Sequence, residues 1–266
     1  MNVGFIGAGK VGCSFGKYFQ EHKIQVTGFY SKSEDSSLAA SNFTSSKQYL
    51  NLRELVDEND TIFITTPDGQ IQEVWQEIKN YQIKNKLICH CSGAISSDIF
   101  SNIQDYGAYG YSVHPMFSIS DKYNSYKKLK KSFITIEGDE KYAKFLCDFF
   151  KKLGNSTVIV SKENKSLYHA ASVVSSNLVL GLINTSVTYL IQCGFTEKMA
   201  IEALYPLIEF NIRNIKEKGI IESLTGPVER CDISTIKGHC EVLSDEDRAL
   251  YMLLSKNVLE LSLIHI

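Results

Sequence analysis

The stretch GFIGAGKVGCSFG, Gly4 to Gly16, sets Gly7, Gly9 and Gly12 in GxGxxG spacing. The apolar run Val3 to Ile6 before it reads as a strand, and the pattern Val11 to Glu21 after it reads as a helix. A second strand, Gln25 to Tyr30, follows about twenty residues later, which is the context in which this spacing holds a dinucleotide. Gly7 permits the tight turn, Gly9 lets a pyrophosphate approach the backbone, and Gly12 lets helix and strand pack closely. The loop Gly7, Ala8, Gly9, Lys10, Val11 and Gly12 is therefore the expected phosphate cradle, with free amides and the helix dipole facing the anion.

The second strand ends in SKS rather than in the acidic residue that accepts hydrogen bonds from a free ribose 2′-hydroxyl. Ser31 and Ser33 can donate to phosphate oxygens, and Lys32 can pair with their charge. The expected cofactor is NADP(H) rather than NAD(H). The alternative reading of Lys32 is an ordinary exposed loop residue.

Further strands are expected at Thr61 to Thr65, Leu87 to Cys91, Gly110 to Val113, Phe133 to Glu137 and Ser156 to Val160, with helices at Ile71 to Lys79 and Tyr142 to Leu153. Strand-helix alternation argues for an α/β fold with a doubly wound, mainly parallel sheet. Strand signals then stop. Helical patterns follow at Asn164 to Cys193, Thr196 to Glu217 and Asp245 to Leu261, so an all-α C-terminal domain is expected. The division falls into 1–160, which binds nucleotide, and 161–266, a helical domain for substrate and dimerisation. The first of these helices is longer than a small domain needs, which points to packing against the first domain or a second subunit.

The 266 residues are 44% apolar with a net charge of −2, which gives no electrostatic reason to expect nucleic acid or an anionic membrane as partner. The most apolar segment, SVVSSNLVLGLINTSV, is interrupted by serines and asparagines, so no membrane span is expected. The N-terminus lacks the pattern of a secretory leader. Seven cysteines without CxxC spacing fit a reducing compartment, and the expected location is the cytoplasm. Metal-ligand spacing, an acyl-transfer triad and a Walker-type loop are missing from the sequence.

Candidate site residues gather at strand ends, where open α/β sheets bind ligands. In ITTPDGQI, Thr65 and Thr66 precede Pro67, with Thr66 as the expected cap of a helix whose first position is Pro67. Ser92 and Gly93 stand at the turn in HCSGAISS, and His114 and Pro115 follow in GYSVHPMFS. Inside its apolar strand, His90 reads as structural.

With GFIGAGKVG, TTPDGQI, HCSGA, SVHPM and the late LTGPVERCDISTIKGH, the chain resembles the pyrroline-5-carboxylate reductase, prephenate dehydrogenase and β-hydroxyacid dehydrogenase superfamily. Within it, the chain is most similar to Rossmann-like NADP oxidoreductases with a helical C-terminal domain of unassigned function, related to deazaflavin-dependent ones. The resemblance implies a cleft between domains and a homodimer formed through the helices. It also exposes a departure: relatives that oxidise β-hydroxyacids carry a proton-shuttling lysine one turn before an asparagine. Here Asn177 matches the asparagine, but Val173 stands where the lysine would be.

Another group must then supply the proton for hydride transfer, unless water supplies it or an already protonated iminium is bound. His169 begins a polar arc with Ser172, Ser176 and Asn177 on an otherwise apolar helix, and reads either as an acid or base or as a packed histidine. His114 is the first candidate, because HPM resembles the substrate-side stretch of prephenate dehydrogenases. In TGPVERCD, Arg230 has the planar fork that suits a substrate carboxylate, with Asp232 to hold it, or the two form an ordinary surface pair. The expected function is an NADP-dependent oxidoreductase acting on a small, carboxylate-bearing carbonyl, imine or hydroxy compound. The rival readings are a non-catalytic NADP-binding sensor, which Val173 favours, and a scaffold with a vestigial loop, which the intact glycines disfavour.

Overall fold

The computed structural model describes residues 1–263. Its strands are β1 (Asn2–Ile6), β2 (Gln25–Tyr30), β3 (Lys47–Gln48), β4 (Thr61–Ile64), β5 (Leu87–His90), β6 (Tyr109–Met116), β7 (Phe133–Gly138) and β8 (Ser156–Ile159). They form one sheet in the order β3-β2-β1-β4-β5-β6-β7-β8. Every pairing is parallel except β6 with β7. The order reverses between β1 and β4, which is where such sheets leave a crevice at the carboxyl edge.

Adjacent residues on the central strands bury opposite ways, as a period of two requires. Phe5, Phe63 and Cys89 join one core with Phe15, Phe19, Phe29 and Phe150. Ile6, Ile62, Ile64 and Ile88 join the other with Trp75, Leu55 and Phe100. The first core is a stack of rings, with Phe5 centroids 5.0 Å from Phe29 and 5.6 Å from Phe63. Both faces are covered by helices α1 (Lys10–Glu21), α2 (Glu34–Thr44), α3 (Leu52–Glu58), α4 (Asp68–Ile78) and α5 (Glu140–Lys152).

The sequence reading had no place for β3, α2 or α3. Helix α2 is serine-rich and weakly patterned; Ser33 caps it through Ser36 N, while Ser37 and Thr44 are buried and return their hydroxyls to Glu34 O and Ala40 O, both at 2.9 Å. Internal satisfaction of these hydroxyls lets a polar segment pack on the sheet.

The chain divides into compact units Met1–Asn177 and Leu178–Ile266, whereas the expected division was 160/161. The reason lies in α6 (Lys165–Val173): Lys165 is buried and bonds Ser112 of β6, and Tyr168 bonds His114 of the same strand. The first turns of the expected long helix therefore belong with the sheet. A π-helical turn, Val174–Leu178, follows, and then α7 (Val179–Gln192).

The second unit continues with α8 (Glu197–Lys218), α9 (Ile233–Val242) and α10 (Asp245–Leu263). Arg248 joins α10 to the end of α9, donating to Cys240 O at 2.7 Å and Leu243 O at 3.1 Å. By length and composition one helical run, Lys162–Gln192, is apolar enough to cross a membrane, contrary to the expectation that its serines interrupt it. Those hydroxyls bond carbonyls one turn back, as Ser175 does to Ala171 O at 2.9 Å and Ser186 to Leu182 O at 3.0 Å. They therefore interrupt the apolar surface less than their number suggests.

Candidate active site

The loop after β1 carries Gly7 at φ +105°, a left-handed backbone that glycine adopts without strain. Thr65 locks it, donating Oγ1 to Gly7 O at 2.9 Å. Gly12 packs against the same pair, since a Cβ there would lie 2.5 Å from Thr65 Oγ1 and 2.6 Å from Gly7 O. A Cβ on Gly9 would meet nothing within 4 Å. Gly9 also stands at the N-cap of α1 without a side-chain cap, so the first amides of the helix are left for another acceptor.

A cavity of about 380 Å³ opens over this loop. Of the residues expected to bind nucleotide, Gly7, Ala8, Gly9, Lys10, Ser31, Lys32, Thr65, Thr66 and Pro67 line it. Val11, Gly12, Ser33, Ser92 and Gly93 do not: Val11 packs on the core and Ser33 caps α2, where Ser36 faces the cavity instead. The expected cap at Thr66 is also displaced. Pro67 is the N-cap of α4, and Thr66 Oγ1 is buried without a hydrogen-bond partner. An orphaned hydroxyl in the wall and an open glycine cradle fit a phosphate-bearing ligand.

Two features of this cavity were not read from the sequence. Lys122, from the loop after β6, joins Lys10 and Lys32 in the wall. Glu73 of α4 pairs with Lys32 at 3.0 Å, both side chains being 66% exposed. An exposed pair of this kind is worth less than about 1 kcal/mol, so Lys32 is free to exchange partners.

Further along the carboxyl edge, β5 and β6 present a second group. The β6 strand lies three spacings from β1, about 14 Å at roughly 4.8 Å each. His90 is fully buried and braces the turn that follows it, its Nδ1 accepting from Ser92 N at 3.2 Å and its Nε2 facing Ser96 O at 3.3 Å. Burial pushes this imidazole down to about 3, so it stays neutral as a brace. Ser92 Oγ donates to Asp68 Oδ2 at 2.7 Å.

Gly93, at the tip of that turn, lies between two imidazoles. A Cβ there would be 2.7 Å from His169 Nδ1 and 2.9 Å from His114 Nε2. His114 Nδ1 is 2.6 Å from Tyr168 OH, which also accepts from Thr135 Oγ1 at 3.0 Å. Burial first, then the charges of Lys165 and His169, push His114 down to about 4, so the ring is neutral near pH 7. His169 Nδ1 is buried without a partner.

The structure brings His114 and His169 together, whereas Asn177 makes no hydrogen bond to either ring among the described residues. Asn177 is exposed in the π-helical turn and accepts from Ser176 Oγ at 3.0 Å. The expected arc assumed 100° per residue, and a π turn breaks that period. In the second unit, Asp232 is the N-cap of α9 and does not hold Arg230 by an ion pair among the described residues. It accepts from Thr235 N at 3.1 Å and Ser234 Oγ at 2.7 Å, which keeps its carboxyl near 2. Arg230 is exposed.

Residues 1–115 match the model of a Rossmann-like domain, and residues 132–258 match that of a domain of unknown function, DUF2520. The chain thus resembles a Rossmann-like domain followed by a DUF2520 domain. No curated protein matches it. Protein TM1727 from Thermotoga maritima superposes with a TM-score of 0.80 at 23% identity, covering 99% of both chains. A Bacteroides fragilis protein with the provisional description NADP oxidoreductase gives 0.74 at 22% identity, covering 97% of this chain and 98% of that one. Plasmodium falciparum pyrroline carboxylate reductase, solved with NADP bound, gives 0.64 at 13% identity over 98% of this chain and 95% of that one. These likenesses are of fold; the site is this chain's own.

Lys165 and Tyr168 were also missing from the sequence reading. With His169 and Ser172 they stand at i, i+3, i+4 and i+7, one face of a helix. That spacing was a usable signal, set directly after the charged run KEN.

Proposed function

We propose that this protein is an NADP(H)-dependent oxidoreductase acting on a small, carboxylate-bearing carbonyl, imine or hydroxy compound. The observation that carries the reading is the glycine cradle with its open Gly9 position, continued along one sheet edge by two imidazoles that converge on Gly93. The fold shared with a pyrroline carboxylate reductase that binds NADP supports the same reading. In this reading the amides of Gly7 to Gly12 hold the pyrophosphate, while Ser31 and Lys32 take the 2′-phosphate. Thr66 donates its orphaned hydroxyl to the bound nucleotide.

A bound reduced nicotinamide supplies hydride. His114 holds the proton for the acceptor at Nε2, and His169 faces it across Gly93. Arg230, exposed in the second unit, is the proposed receptor for an anionic group of the substrate. Against the sensor reading, which rests on Val173, stands a buried lysine eight residues earlier on the same helical run.

The cofactor choice has a direct test. Replacing Ser31→Asp together with Lys32→Ala puts a carboxylate where a 2′-phosphate would sit and removes a charged donor worth about 1.5–3 kcal/mol. NADPH affinity, followed by nicotinamide fluorescence, should fall about 10- to 100-fold. NADH affinity should change less than about threefold. Equal losses for the two nucleotides would remove the preference for NADP(H).

We further propose a homodimer through the helical unit, in keeping with large apolar side chains left open there, including Leu180 at 66%, Phe210 at 62% and Leu253 at 62% exposure. Apolar exposure on this scale marks an interaction surface. Sedimentation velocity at micromolar concentration should give a dimer; a monomer would count against it. Seven free cysteines in the described residues are in keeping with a cytoplasmic location.

A further inference from the structure

Lys165 is only 2% exposed, and its ammonium hydrogen-bonds Ser112 Oγ, which donates to Ser92 O at 3.0 Å. It makes no ion pair with a carboxylate within 4.0 Å among the described residues. Its Nζ lies 5.7 Å from the centre of the Tyr168 ring. The titratable groups whose charges it feels or perturbs are Glu137 of β7, Cys91 after β5, Asp68 of α4, His90 of β5 and His114 of β6. Burial depresses the pKa of this ammonium, and burying one without a directly paired carboxylate is a cost that holding Ser112 in place does not by itself justify.

The Thr135 hydroxyl has two acceptors, Tyr168 OH at 3.0 Å and His114 O at 3.3 Å. When it donates to the nearer, Tyr168, the phenolic proton is available for His114 Nδ1, and His114 then carries hydrogen on Nε2, the nitrogen beside Gly93. A neutral imidazole that gives up Nε2–H is left as an imidazolate unless Nδ1 takes a proton in the same event.

We propose that Tyr168 and Lys165 are positioning residues that replenish His114, Tyr168 passing its phenolic proton to Nδ1 as Nε2 protonates the acceptor, with the Lys165 ammonium offsetting the phenolate. The proposal rests on the oxidoreductase reading. The Tyr168 O–H and His114 Nε2–H bonds break; an Nδ1–H bond and an acceptor O–H or N–H bond form. The imidazole is neutral before and after; once product leaves, water protonates Nε2 and Nδ1 returns its proton to the phenolate, which restores the starting tautomer. Electrons come only from the reduced pyridine nucleotide.

Nitrogen-15 spectra of histidine side chains in the full chain, with the His114 signals assigned by their loss in His114→Gln, read the donor order without nucleotide or substrate. The expected result at pH 7 is hydrogen on Nε2 and a bare Nδ1. In Lys165→Met the His114 protonation midpoint should rise by about one pH unit, because the ammonium no longer opposes the imidazolium. Hydrogen on Nδ1, or an unmoved midpoint in a folded variant, overturns the proposal.

Tyr168→Phe provides a second measurement that does not depend on Lys165→Met folding. With NADPH and a pool of small 2-ketoacids and cyclic imines, its oxidation rate should be about 100-fold lower. It should recover toward low pH as His114 becomes protonated, with NADPH affinity unchanged. A wild-type rate with an unchanged pH profile would also overturn the relay. Failure of the wild type to bind NADPH would instead sink the oxidoreductase reading and leave the tautomer result standing.

Discussion

Gly12→Ala is expected to lower NADPH affinity at least about 100-fold while leaving the protein folded. The new methyl would lie 2.5 Å from Thr65 Oγ1 and 2.6 Å from Gly7 O, and those two atoms are hydrogen-bonded to each other at 2.9 Å. Neither can rotate away without releasing the loop, so the start of α1 must move. Overpacking of this kind costs about 1–3 kcal/mol of stability. Shifting two amides off a charged phosphate removes about 1.5–3 kcal/mol each, which is the source of the affinity loss.

Gly9→Ala is the control. Its Cβ has open space in the protein, so thermal stability should stay within about 0.5 kcal/mol while nucleotide binding still falls, because the methyl enters the cradle. Fluorescence titration with NADPH and urea unfolding separate the two variants. If Gly12→Ala binds NADPH within about threefold of wild type, the loop is not the phosphate site.

Gly93→Ala should divide function the other way, with NADPH affinity kept within about threefold and turnover at least about 100-fold lower. A Cβ at Gly93 meets His169 Nδ1 at 2.7 Å and both Cε1 and Nε2 of His114 at 2.9 Å. His114 can retreat only by giving up its 2.6 Å contact with Tyr168, so the methyl disturbs both imidazoles and the group behind one of them. A displacement of about 1 Å at a reacting group costs on the order of 100-fold. NADPH oxidation with pooled ketoacids and imines, set beside direct binding of NADPH, measures the split. Turnover equal to wild type would remove both histidines from the reaction.

Much of the Rossmann-like half was legible because its signals are local. Gly7, Gly9 and Gly12 act on their own turn, and apolar strands such as Thr61–Ile64 and Leu87–His90 announce burial on both faces. Helix α2 was not legible, since its serines are satisfied against its own backbone, and α3 was not because it is seven residues long with only Leu52, Leu55 and Val56 as a buried face. Glu73 was invisible for another reason: its pairing with Lys32 joins residues 41 positions apart.

By itself the sequence determined the doubly wound sheet, the glycine turn after β1 and the change to helices, since period, glycine spacing and strand length are properties of neighbouring residues. It also nominated His114 and His169, through a strand end and a polar position on an apolar helix. Only the tertiary structure decided that the two rings meet at Gly93, that Lys165 is buried beside them, and that Asn177 is exposed in a π turn. Those outcomes depend on where α6 docks on β6, through contacts between residues more than fifty positions apart, and on a π turn at Val174–Leu178.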